Sequence, residues 1–361
     1  MSGPVLIAAG GTGGHMFPAL ALGSELKRRG IEVAVLTDAR GRRYLNGEIA
    51  CHVVSAASPS GSLPARLAGV LSLARGFAQS LPLLRGLHPV ATAAFGGYAC
   101  VPAALASALS RVPVLVHEQN AVFGRANRLI ARFARVLALS FADTAAVPAG
   151  AQRLVAGNPV RPGFDAGSRA YEPPAEGGPI RLLVMGGSQG ARVFSDVVPA
   201  AVALLSPGLR AQLELAQQCR PEDLERARAA YAGLGLAPEL APFFADAAAR
   251  MSQAHIVLTR SGASTVAEVL LLARPSLLVP YPFAADDHQT ANAERLAAAG
   301  AARLLPQAEL RPERLAKALE ELLTDPRILV AMAAKARELA RPDAAVVLAE
   351  AVMALAKGGE A

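Results

Sequence analysis

Two glycine-rich loops of one design lie at matching points in the two halves of this 361-residue chain. Residues 10–15 (GGTGGH) follow the apolar run 5–9, and residues 186–190 (GGSQG) follow the apolar run 182–185. Glycine lets another group approach the backbone closely, and the N–H groups that open a helix attract an anion, usually a phosphate. The sequence therefore predicts one phosphate site in each half, with both sites facing one cleft between two nucleotide-type domains.

His15 is the first candidate for chemistry, because it follows the first loop directly. Histidine, whose usual pKa is about 6.5, suits a general base. The alternative is a ring that only caps or packs the helix start. The loop also partly fits a dinucleotide fingerprint, with Asp38 where a ribose-binding acid would lie, but Met16 stands where a third small residue should pack. A phosphate loop with another purpose is therefore favoured over an NAD site.

The second loop also fits the nucleophile elbow G-x-S-x-G, and Ser188, Asp246 and His288 follow the chain order of an α/β-hydrolase triad. The chain has no HGGG-type oxyanion loop, and the first half would have no role in a hydrolase. Ser188 is better assigned as a hydroxyl donor to phosphate.

A metal site is the alternative reading of the segment Asp286-Asp287-His288. Adjacent side chains on one loop make a weak ligand set, and the sequence has no spaced D-x-D motif. The prediction is that neither a metal ion nor a cofactor takes part.

Other polar groups follow predicted strands at their carboxyl ends, where ligands of open α/β sheets bind. They are residues 96–98 (GGY), 117–120 (HEQN), 261–268 (SGASTVAE) and 286–289 (DDHQ). Their convergence is stronger support for a site than any single motif. Glu268, in a predicted helix, could accept two hydrogen bonds from a vicinal diol such as a ribose; the alternative is a solvated helix face.

The elements that position these groups alternate between strand and helix, which predicts parallel sheets and an α/β fold. The predicted strands are residues 5–9, 31–36, 90–95, 112–116, 136–139, 180–186, 210–216, 254–259 and 276–280. The Pro/Gly-rich segment 172–179 is the clearest linker. We expect two domains, residues 1–160 and 164–340. The helix that follows the first loop is expected to begin near Phe17-Pro18.

Composition indicates a globular protein with an anionic partner. The chain is 53% apolar with a net charge of +7, of which residues 1–160 carry +9 and residues 161–361 carry −2. Three scattered cysteines without a C-x-x-C pair favour buried thiols over disulfides or a zinc site. No uninterrupted apolar run approaches the roughly 20 residues that cross a bilayer, and no charged leader precedes the first strand, so we expect a cytoplasmic protein.

Residues 63–87 form an amphipathic pattern of leucines with arginines, and a second basic stripe lies at residues 125–135. The arginines are Arg66, Arg75, Arg85, Arg125, Arg128, Arg132 and Arg135. One interpretation is a core-facing helix with solvated cations; the other is an apolar patch ringed by cations on an anionic membrane surface. Nucleic acid is not expected as a partner, because aromatic residues for base stacking are scarce.

Taken together, these residues resemble the MurG family of N-acetylglucosaminyltransferases, which add GlcNAc to lipid I to make lipid II in peptidoglycan synthesis. The matching motifs run in order over essentially the whole chain. They are GGTGGH (10–15), GGY (96–98), HEQN (117–120), GNPVR (157–161), GGSQGAR (186–192), RSGAST with Glu268 (260–268) and DHQ with NA (287–293). The resemblance implies the GT-B fold, which has two Rossmann-like domains and a C-terminal helix, here about 342–358, that packs back on the first.

The resemblance also implies a role for residues within these motifs. Acceptor-side residues are Thr12, Gly13, Gly14 and Asn120; donor-side residues are Arg161, Ser188, Gln189, Gly190, Phe244, Ala263, Ser264, Thr265, Glu268, His288 and Gln289. The diphosphate would be held by Arg161, the second loop and the N–H groups of 263–265. Phe244 would contact the uracil, Glu268 would bind the ribose, and Gln289 would bind the sugar. His15 would be the base, with Tyr98 and Glu118 nearby as further catalytic candidates.

The implied reaction is an inverting displacement in which the MurNAc C4 hydroxyl of lipid I attacks the anomeric carbon of UDP-GlcNAc. The implied partners are UDP-GlcNAc, lipid I (undecaprenyl-pyrophosphoryl-MurNAc-pentapeptide) and the anionic surface of the inner membrane, on whose cytoplasmic face the protein would be peripheral. The alternatives are a related transferase with a diacylglycerol or polysaccharide acceptor, a UDP-GlcNAc 2-epimerase, or a catalytically silent scaffold.

Overall fold

The computed structural model describes residues 3–45, 47–161, 163–164, 170–187 and 190–358. The chain divides into two compact units, one formed by Met1–Arg161 with Arg341–Ala361 and the other by Pro162–Ala340. Each unit contains one parallel sheet flanked by helices, so the predicted α/β class with two Rossmann-like units is confirmed.

The strands are β1 Val5–Ala8, β2 Val33–Thr37, β3 Ala50–Val53, β4 Ala91–Ala94, β5 Val114–Glu118, β6 Val136–Leu139, β7 Gln152–Val155, β8 Ile180–Met185, β9 Leu213–Gln218, β10 Glu239–Ala241, β11 Ile256–Thr259, β12 Ser276–Leu278 and β13 Ala302–Leu304. The helices are α1 Gly13–Arg28, α2 Leu63–Leu87, α3 Cys100–Leu109, α4 Arg125–Ala131, α5 Arg192–Leu204, α6 Pro207–Gln212, α7 Leu224–Ala232, α8 Ala247–Gln253, α9 Ala263–Leu271, α10 His288–Ala298, α11 Pro312–Thr324, α12 Pro326–Leu339 and α13 Ala344–Ala356. Short 3₁₀ turns occur at Gly41–Tyr44, Pro221–Asp223, Ala285–Asp287 and Gln307–Glu309.

The first unit has its sheet between two helical layers. The strand order is β3-β2-β1-β4-β5-β6-β7, and every neighbouring pair is parallel. On one face α1 and α13 pack against the sheet; on the other, α2, α3 and α4 do so. Strands β1, β4, β5 and β6 are buried throughout, because helices cover both faces, and this explains their continuous apolar runs.

The second unit repeats the design with the strand order β10-β9-β8-β11-β12-β13, again parallel. Its largest apolar cluster joins β8, β11 and β12 to α5, α11 and α12. In both sheets the order reverses direction once, between β1 and β4 and between β8 and β11. Such switch points leave a crevice at the carboxyl ends of the strands, and each glycine-rich loop follows a strand at one of them.

The start of α1 differs from the sequence prediction. The helix begins at Gly13 with Thr12 as its N-cap, so Pro18 lies in the second turn. Gly13 and Gly14, the first two residues of α1, are also the last two glycines of the loop, so the helix begins inside the loop. The N–H groups of the first helical turn, which have no acceptor within the helix, therefore belong to the glycine loop itself.

The sequence has no uninterrupted apolar run that approaches the length of a membrane span, yet one helix reaches that length because arginines are included in it. Among the described residues, α2 is long and apolar enough by length and composition alone. Arginines interrupt its apolar runs in the sequence, but the 25 residues form one continuous helix. Its second half packs against α3, while Leu63, Leu67, Val70 and Leu71 in its first half are 57–72% exposed.

Candidate functional site

The first glycine loop lies against the loop that follows β4. Gly10 donates its N–H to the carbonyl oxygen of Gly96, 2.9 Å away. Gly96 and Gly97 both have positive φ, and a Cβ on either would lie 3.1 or 3.2 Å from a ring carbon of His15. Glycine at these positions therefore allows both the backbone turn and the close approach of the imidazole.

A chain of hydrogen bonds connects His15 to the end of β5. His15 Nδ1 lies 3.1 Å from Gln119 Oε1, and Gln119 Nε2 donates to the carbonyl oxygen of Phe95 at 2.9 Å. Gln119 Nε2 also lies 3.0 Å from His117 Nδ1, and His117 Nε2 lies 2.8 Å from the carbonyl oxygen of Gly157. The half-buried His15 is therefore held by a second layer of buried side chains rather than by the loop alone.

His117 is completely buried, and burial lowers its pKa to about 4. The ring is consequently neutral near pH 7. Because the contacting atom of Gly157 is a carbonyl oxygen, which only accepts, the His117 proton lies on Nε2 and its lone pair on Nδ1. His117 therefore has a structural role among these buried side chains, whereas His15 lies nearer the first glycine loop.

Glu118 organises the segment between β5 and α4. Its Oε1 accepts from the backbone N–H and side-chain amide of Asn120, at 3.0 and 3.1 Å. Its Oε2 accepts from the N–H of Gly124 at 2.9 Å and from the amide of Asn127 at 2.7 Å. Four donors thus occupy a carboxylate that is 1% exposed, which favours a loop-holding role. Its participation in catalysis stays a prediction.

The remaining first-unit candidates lie around the same loops. Thr12 and Gly14 are exposed and Gly13 is buried, at the N-terminus of α1. Tyr98 is half-buried next to α3 and packs on the apolar cluster between the helices and the sheet. Arg161, which ends the first of the two segments of this unit, places its guanidinium 4.7 Å from the ring centre of Phe17 on α1. These candidates all belong to the first unit, and their roles stay predictions.

The Asp38 carboxylate is already occupied, which argues against the NAD alternative. It accepts from the N–H groups of Arg40 and Gly41, at 3.0 and 2.9 Å, and pairs with the guanidinium of Arg40. It therefore closes the turn after β2.

The second glycine loop is also sterically defined. Gly187 and Gly190 have positive φ, and Gly186 donates its N–H to Gln218 Oε1 at 3.1 Å. A Cβ on Gly186 would clash with the backbone of Gly190 and Ala191. Ser188 and Gln189, which the sequence analysis assigned to this site, lie outside the described residues.

Helix α9 begins beside this loop, because β11 and β8 are neighbours in the sheet. Ala263 is its first residue, and the Oγ of Ser264 is buried with no hydrogen-bond partner in the part of the chain that the structure describes. Ser264 and Glu268 are four residues apart, and Thr265 and Glu268 are three apart, so the three side chains share one helix face. Glu268 is 3% exposed, which is unusual for a solvated helix face.

Gln289 connects the start of α10 to two other segments by hydrogen bonds. Its Oε1 accepts from the N–H of Tyr281 at 2.9 Å, and its carbonyl oxygen accepts from Ser261 Oγ at 2.7 Å. Its Nε2 would lie 4.0 Å from a Cβ on Gly262, the N-cap of α9. His288 makes a 2.7 Å contact from Nδ1 to the carbonyl oxygen of Ala285. Gln289 is thus well placed to present amide N–H groups near α9.

Phe244 lies in the loop after β10 and is buried, with the Arg250 guanidinium 4.4 Å from its ring centre. Arg250 in turn pairs with Asp246 at 2.7 Å. The hydrolase alternative is therefore not supported, since Asp246 binds an arginine and His288 Nδ1 meets a carbonyl oxygen.

Three residues that the sequence analysis did not assign support these sites. Gln119 and Asn127 bond to the β5 end, and Arg260 donates to the carbonyl oxygens of Val279 and Pro280, at 3.1 and 3.0 Å. Burial lowers the pKa of Arg260 to about 10. The alternation of a strand offered one signal, since residues 117 and 119 fall on the same side of an extended chain. Asn127 and Arg260 are recognised only from the hydrogen bonds they make in three dimensions.

Within the described ranges, no cluster of three or more His, Cys, Asp or Glu side chains is arranged to hold a metal ion. The residues that converge at the two switch points are instead glycines, hydroxyls, amides and helix N-termini. Such groups bind phosphate and sugar oxygens by hydrogen bonding.

Comparisons with known proteins match both units. Residues 5–138 match the glycosyltransferase family 28 N-terminal domain, and residues 181–348 match the family 28 C-terminal domain. Among curated relatives, proteins of Methylobacterium sp. strain 4-46 and Methylobacterium nodulans are 51% and 52% identical to this chain. Both alignments cover 97% of this chain and 96% of the relative. Both relatives are named UDP-N-acetylglucosamine–N-acetylmuramyl-(pentapeptide) pyrophosphoryl-undecaprenol N-acetylglucosamine transferase.

Solved structures give the same result. The crystal structure of MurG from Acinetobacter baumannii has a TM-score of 0.80 and 30% identity, covering 97% of this chain and 99% of that chain. A UDP-GlcNAc 2-epimerase of Neisseria meningitidis bound to UDP-GlcNAc has a TM-score of 0.66 at 15% identity, with 97% and 99% covered, and so shares the fold alone. The fold class is GT-B, as expected from the motifs.

Proposed function

The chain belongs to the MurG family, and from this premise we propose that it transfers N-acetylglucosamine from UDP-GlcNAc to the C4 hydroxyl of MurNAc in lipid I, which gives lipid II. The observation that carries the proposal is identity of about half the residues over 97% of the chain to proteins named for this transfer. The order of the two glycine-rich loops and their placement at the two switch points agree with it.

The second unit is the donor-binding unit in this proposal. The N–H groups at the start of α9 would bind the diphosphate, and Ser188, Gln189 and Gly190 are the further ligands that the motifs imply. The buried Ser264 Oγ has no hydrogen-bond partner among the described residues, so a ligand oxygen could satisfy it. Glu268 would accept both ribose hydroxyls, Phe244 would border the uracil, and Gln289 would donate to the sugar.

The first unit would bind the acceptor. Its glycine loop and the α1 N-terminus suit the pyrophosphate of lipid I, with Thr12, Gly13, Gly14 and Asn120 around it. His15 would take the proton of the attacking C4 hydroxyl while the bond from the anomeric carbon to the diphosphate breaks. A single displacement inverts the anomeric centre. Fixed N–H donors aimed at the departing diphosphate would supply much of the transition-state stabilisation.

We also propose that the first unit attaches to the membrane surface. The exposed leucines and valine at the start of α2 form an apolar face with Arg66 and Arg75 exposed on the same half of the helix. Helices α2 and α4 both pack on α3, and the exposed arginines of α4 add to the positive charge of this unit. An apolar face ringed by cations suits the anionic cytoplasmic face of the inner membrane, where lipid I would be reached.

The decisive experiment is incubation with UDP-GlcNAc and a short-chain lipid I analogue. We expect UDP release that requires the acceptor, and a product heavier by one GlcNAc residue in mass spectrometry. Conversion of UDP-GlcNAc without acceptor would indicate an epimerase instead. Absence of any donor consumption by the folded protein would indicate a binding scaffold and would overturn the proposal.

A further inference from the structure

We propose that Gln119 is a positioning residue that fixes the tautomer of His15, so that Nε2 is the ring nitrogen that receives the acceptor's proton. The inference rests on the proposed function, in which His15 is the base. It adds a residue to the reaction that neither the motif comparison nor the sequence analysis assigned.

The orientation of the Gln119 amide follows from the groups around it. Phe95 presents a carbonyl oxygen 2.9 Å from Gln119 Nε2, and His117 presents another at 3.1 Å. Carbonyl oxygens only accept, so the amide NH₂ must be on that side. The amide oxygen then faces His15 Nδ1 at 3.1 Å, and since this oxygen also only accepts, Nδ1 must carry the proton.

The hydrogen bonds of His117 require the same orientation of the Gln119 amide. Its Nε2–H donates to the carbonyl oxygen of Gly157, which leaves the Nδ1 lone pair to accept from Gln119 Nε2 at 3.0 Å. A flipped amide would oppose the oxygen of Gln119 to the Phe95 oxygen and to this lone pair. Gln119 is 1% exposed and His117 is fully buried, so water cannot readily compensate for such a mismatch.

The position of the ring is fixed by glycine as well as by hydrogen bonding. A Cβ at Gly96 would lie 3.2 Å from His15 Nδ1, so any larger residue would displace the nitrogen that bonds to Gln119. The loops after β1, β4 and β5 thus jointly define one imidazole orientation. This is possible because the three strands are adjacent in the sheet.

The chemical consequence concerns the path of one proton. In a neutral imidazole only the nitrogen without hydrogen can accept a proton, and here that is Nε2. The acceptor O–H bond breaks and its proton goes to Nε2. The oxygen forms the bond to the anomeric carbon, and the electron pair of the breaking glycosidic bond leaves with UDP. The Nδ1–H bond to Gln119 persists and stabilises the imidazolium that forms.

The test begins with the unmodified protein, labelled with ¹⁵N-histidine. We expect the imidazole ¹⁵N spectrum to show His15 protonated at Nδ1 and unprotonated at Nε2, with its signals identified by their loss in His15→Ala. Observation of the Nε2–H tautomer in the folded wild-type protein would overturn the inference. That result does not depend on any variant at Gln119 and would leave the proposed transfer reaction standing.

The variant Gln119→Met keeps the side-chain length but offers only a weakly accepting thioether. We expect His15 to lose its exclusive Nδ1–H form, and kcat to fall about 10- to 100-fold, corresponding to loss of a hydrogen bond to a group that becomes charged. KM for UDP-GlcNAc should change less than about twofold, because the donor-binding residues are elsewhere. Gln217→Met is the matched control, since Gln217 is buried in the second unit and bonds to Tyr231.

The outcomes distinguish the positioning role of Gln119 from the role of His15 as the base. An unaltered His15 spectrum and kcat in folded Gln119→Met would refute the positioning role. A wild-type Nδ1–H tautomer together with full turnover in His15→Ala would instead refute His15 as the base, which belongs to the proposed function. Gln217→Met should leave the His15 signals where they are, and a shift there would point to a general effect of the substitution.

Discussion

At the scale of single residues, a buried layer rather than the exposed loop determines what the candidate groups can do. His15 is held by Gln119, and Gln119 by the carbonyl of Phe95 and the ring of His117. Glu118, next to them, uses both oxygens on the loop that leads to α4. Within residues 117–120, the buried side chains of His117, Glu118 and Gln119 therefore hold neighbouring groups in place.

His15→Ala should lower kcat for GlcNAc transfer by about 10²- to 10⁴-fold, the range typical of a lost general base. The affinity for UDP-GlcNAc should change little, because His15 lies in the first unit. Steady-state kinetics of UDP release with a lipid I analogue measure both. His52→Ala, at a histidine on β3 outside the site, is the control. Equal turnover in His15→Ala and wild type would remove His15 as the base.

Glu268→Ala should weaken UDP-GlcNAc binding by about 10- to 100-fold, since hydrogen bonds to a charged group contribute about 1.5–3 kcal/mol. Titration calorimetry of the folded variant gives the dissociation constant. Glu225→Ala, an exposed acid on α7 in the same unit, should bind like wild type. An unchanged affinity in Glu268→Ala would reject the ribose role.

The buried ring of His117 should make the stability of the protein depend on pH. Its pKa of about 4 lies below the ordinary value of 6.5, so between these pH values the unfolded chain binds more protons than the folded one. The free energy of unfolding should therefore decrease as pH falls from 6.5 to 4, by up to about 3 kcal/mol. Urea unfolding of wild type and His117→Asn at several pH values isolates this contribution. Identical slopes in the two proteins would contradict it.

At the scale of elements, the same helix can serve the core and a surface. The second half of α2 buries Leu84 and packs Phe77 and Leu81 on the cluster shared with α3, whereas its first half leaves its apolar side chains exposed. Gly69 and Gly76 are two of the buried positions of α2, and there the helix passes close to the backbone of residues 55–59. A sequence pattern of apolar residues at helical spacing does not distinguish a helix half that packs on the core from one that stays exposed.

Replacing Leu67 and Leu71 together by glutamine should reduce binding to vesicles that contain anionic lipid by about tenfold or more, because each buried leucine contributes about 2 kcal/mol. Turnover of a soluble lipid I analogue should stay near wild type. Vesicle sedimentation and the UDP-release assay measure the two effects. Leu204→Gln, at an exposed leucine of the second unit, is the control. Retained vesicle binding in the double variant would exclude α2 as the attachment face.

At the scale of the whole molecule, charge is divided between the units. The sequence of the first unit carries +9 and that of the second −2. A strongly basic unit attracts anionic surfaces over a distance that salt shortens to about 8 Å at physiological ionic strength. In the proposed reaction, the near-neutral second unit would bind the diphosphate chiefly through local N–H groups and side chains.

Raising NaCl from about 0.05 to 0.5 M should therefore weaken anionic-vesicle binding strongly while changing UDP-GlcNAc affinity much less. Vesicle sedimentation and calorimetry across this range give the two dependences. Vesicles of neutral lipid serve as the control, and their weaker binding should be almost insensitive to salt. Equal salt dependence on neutral and anionic vesicles would contradict electrostatic attraction by the first unit.

The sequence by itself determined the α/β class, the buried central strands and the family, because these depend on local apolar runs and on motifs that stay contiguous along the chain. It missed the edge strands β3, β7, β10 and β13, which are short and, being half exposed, lack a continuous apolar run. Only the tertiary structure decided that Gln119 faces His15 from 104 residues away and that Glu118 is fully occupied. Such pairings follow from which strands become neighbours in the sheet, and no spacing along one chain specifies the direction of a hydrogen bond between them.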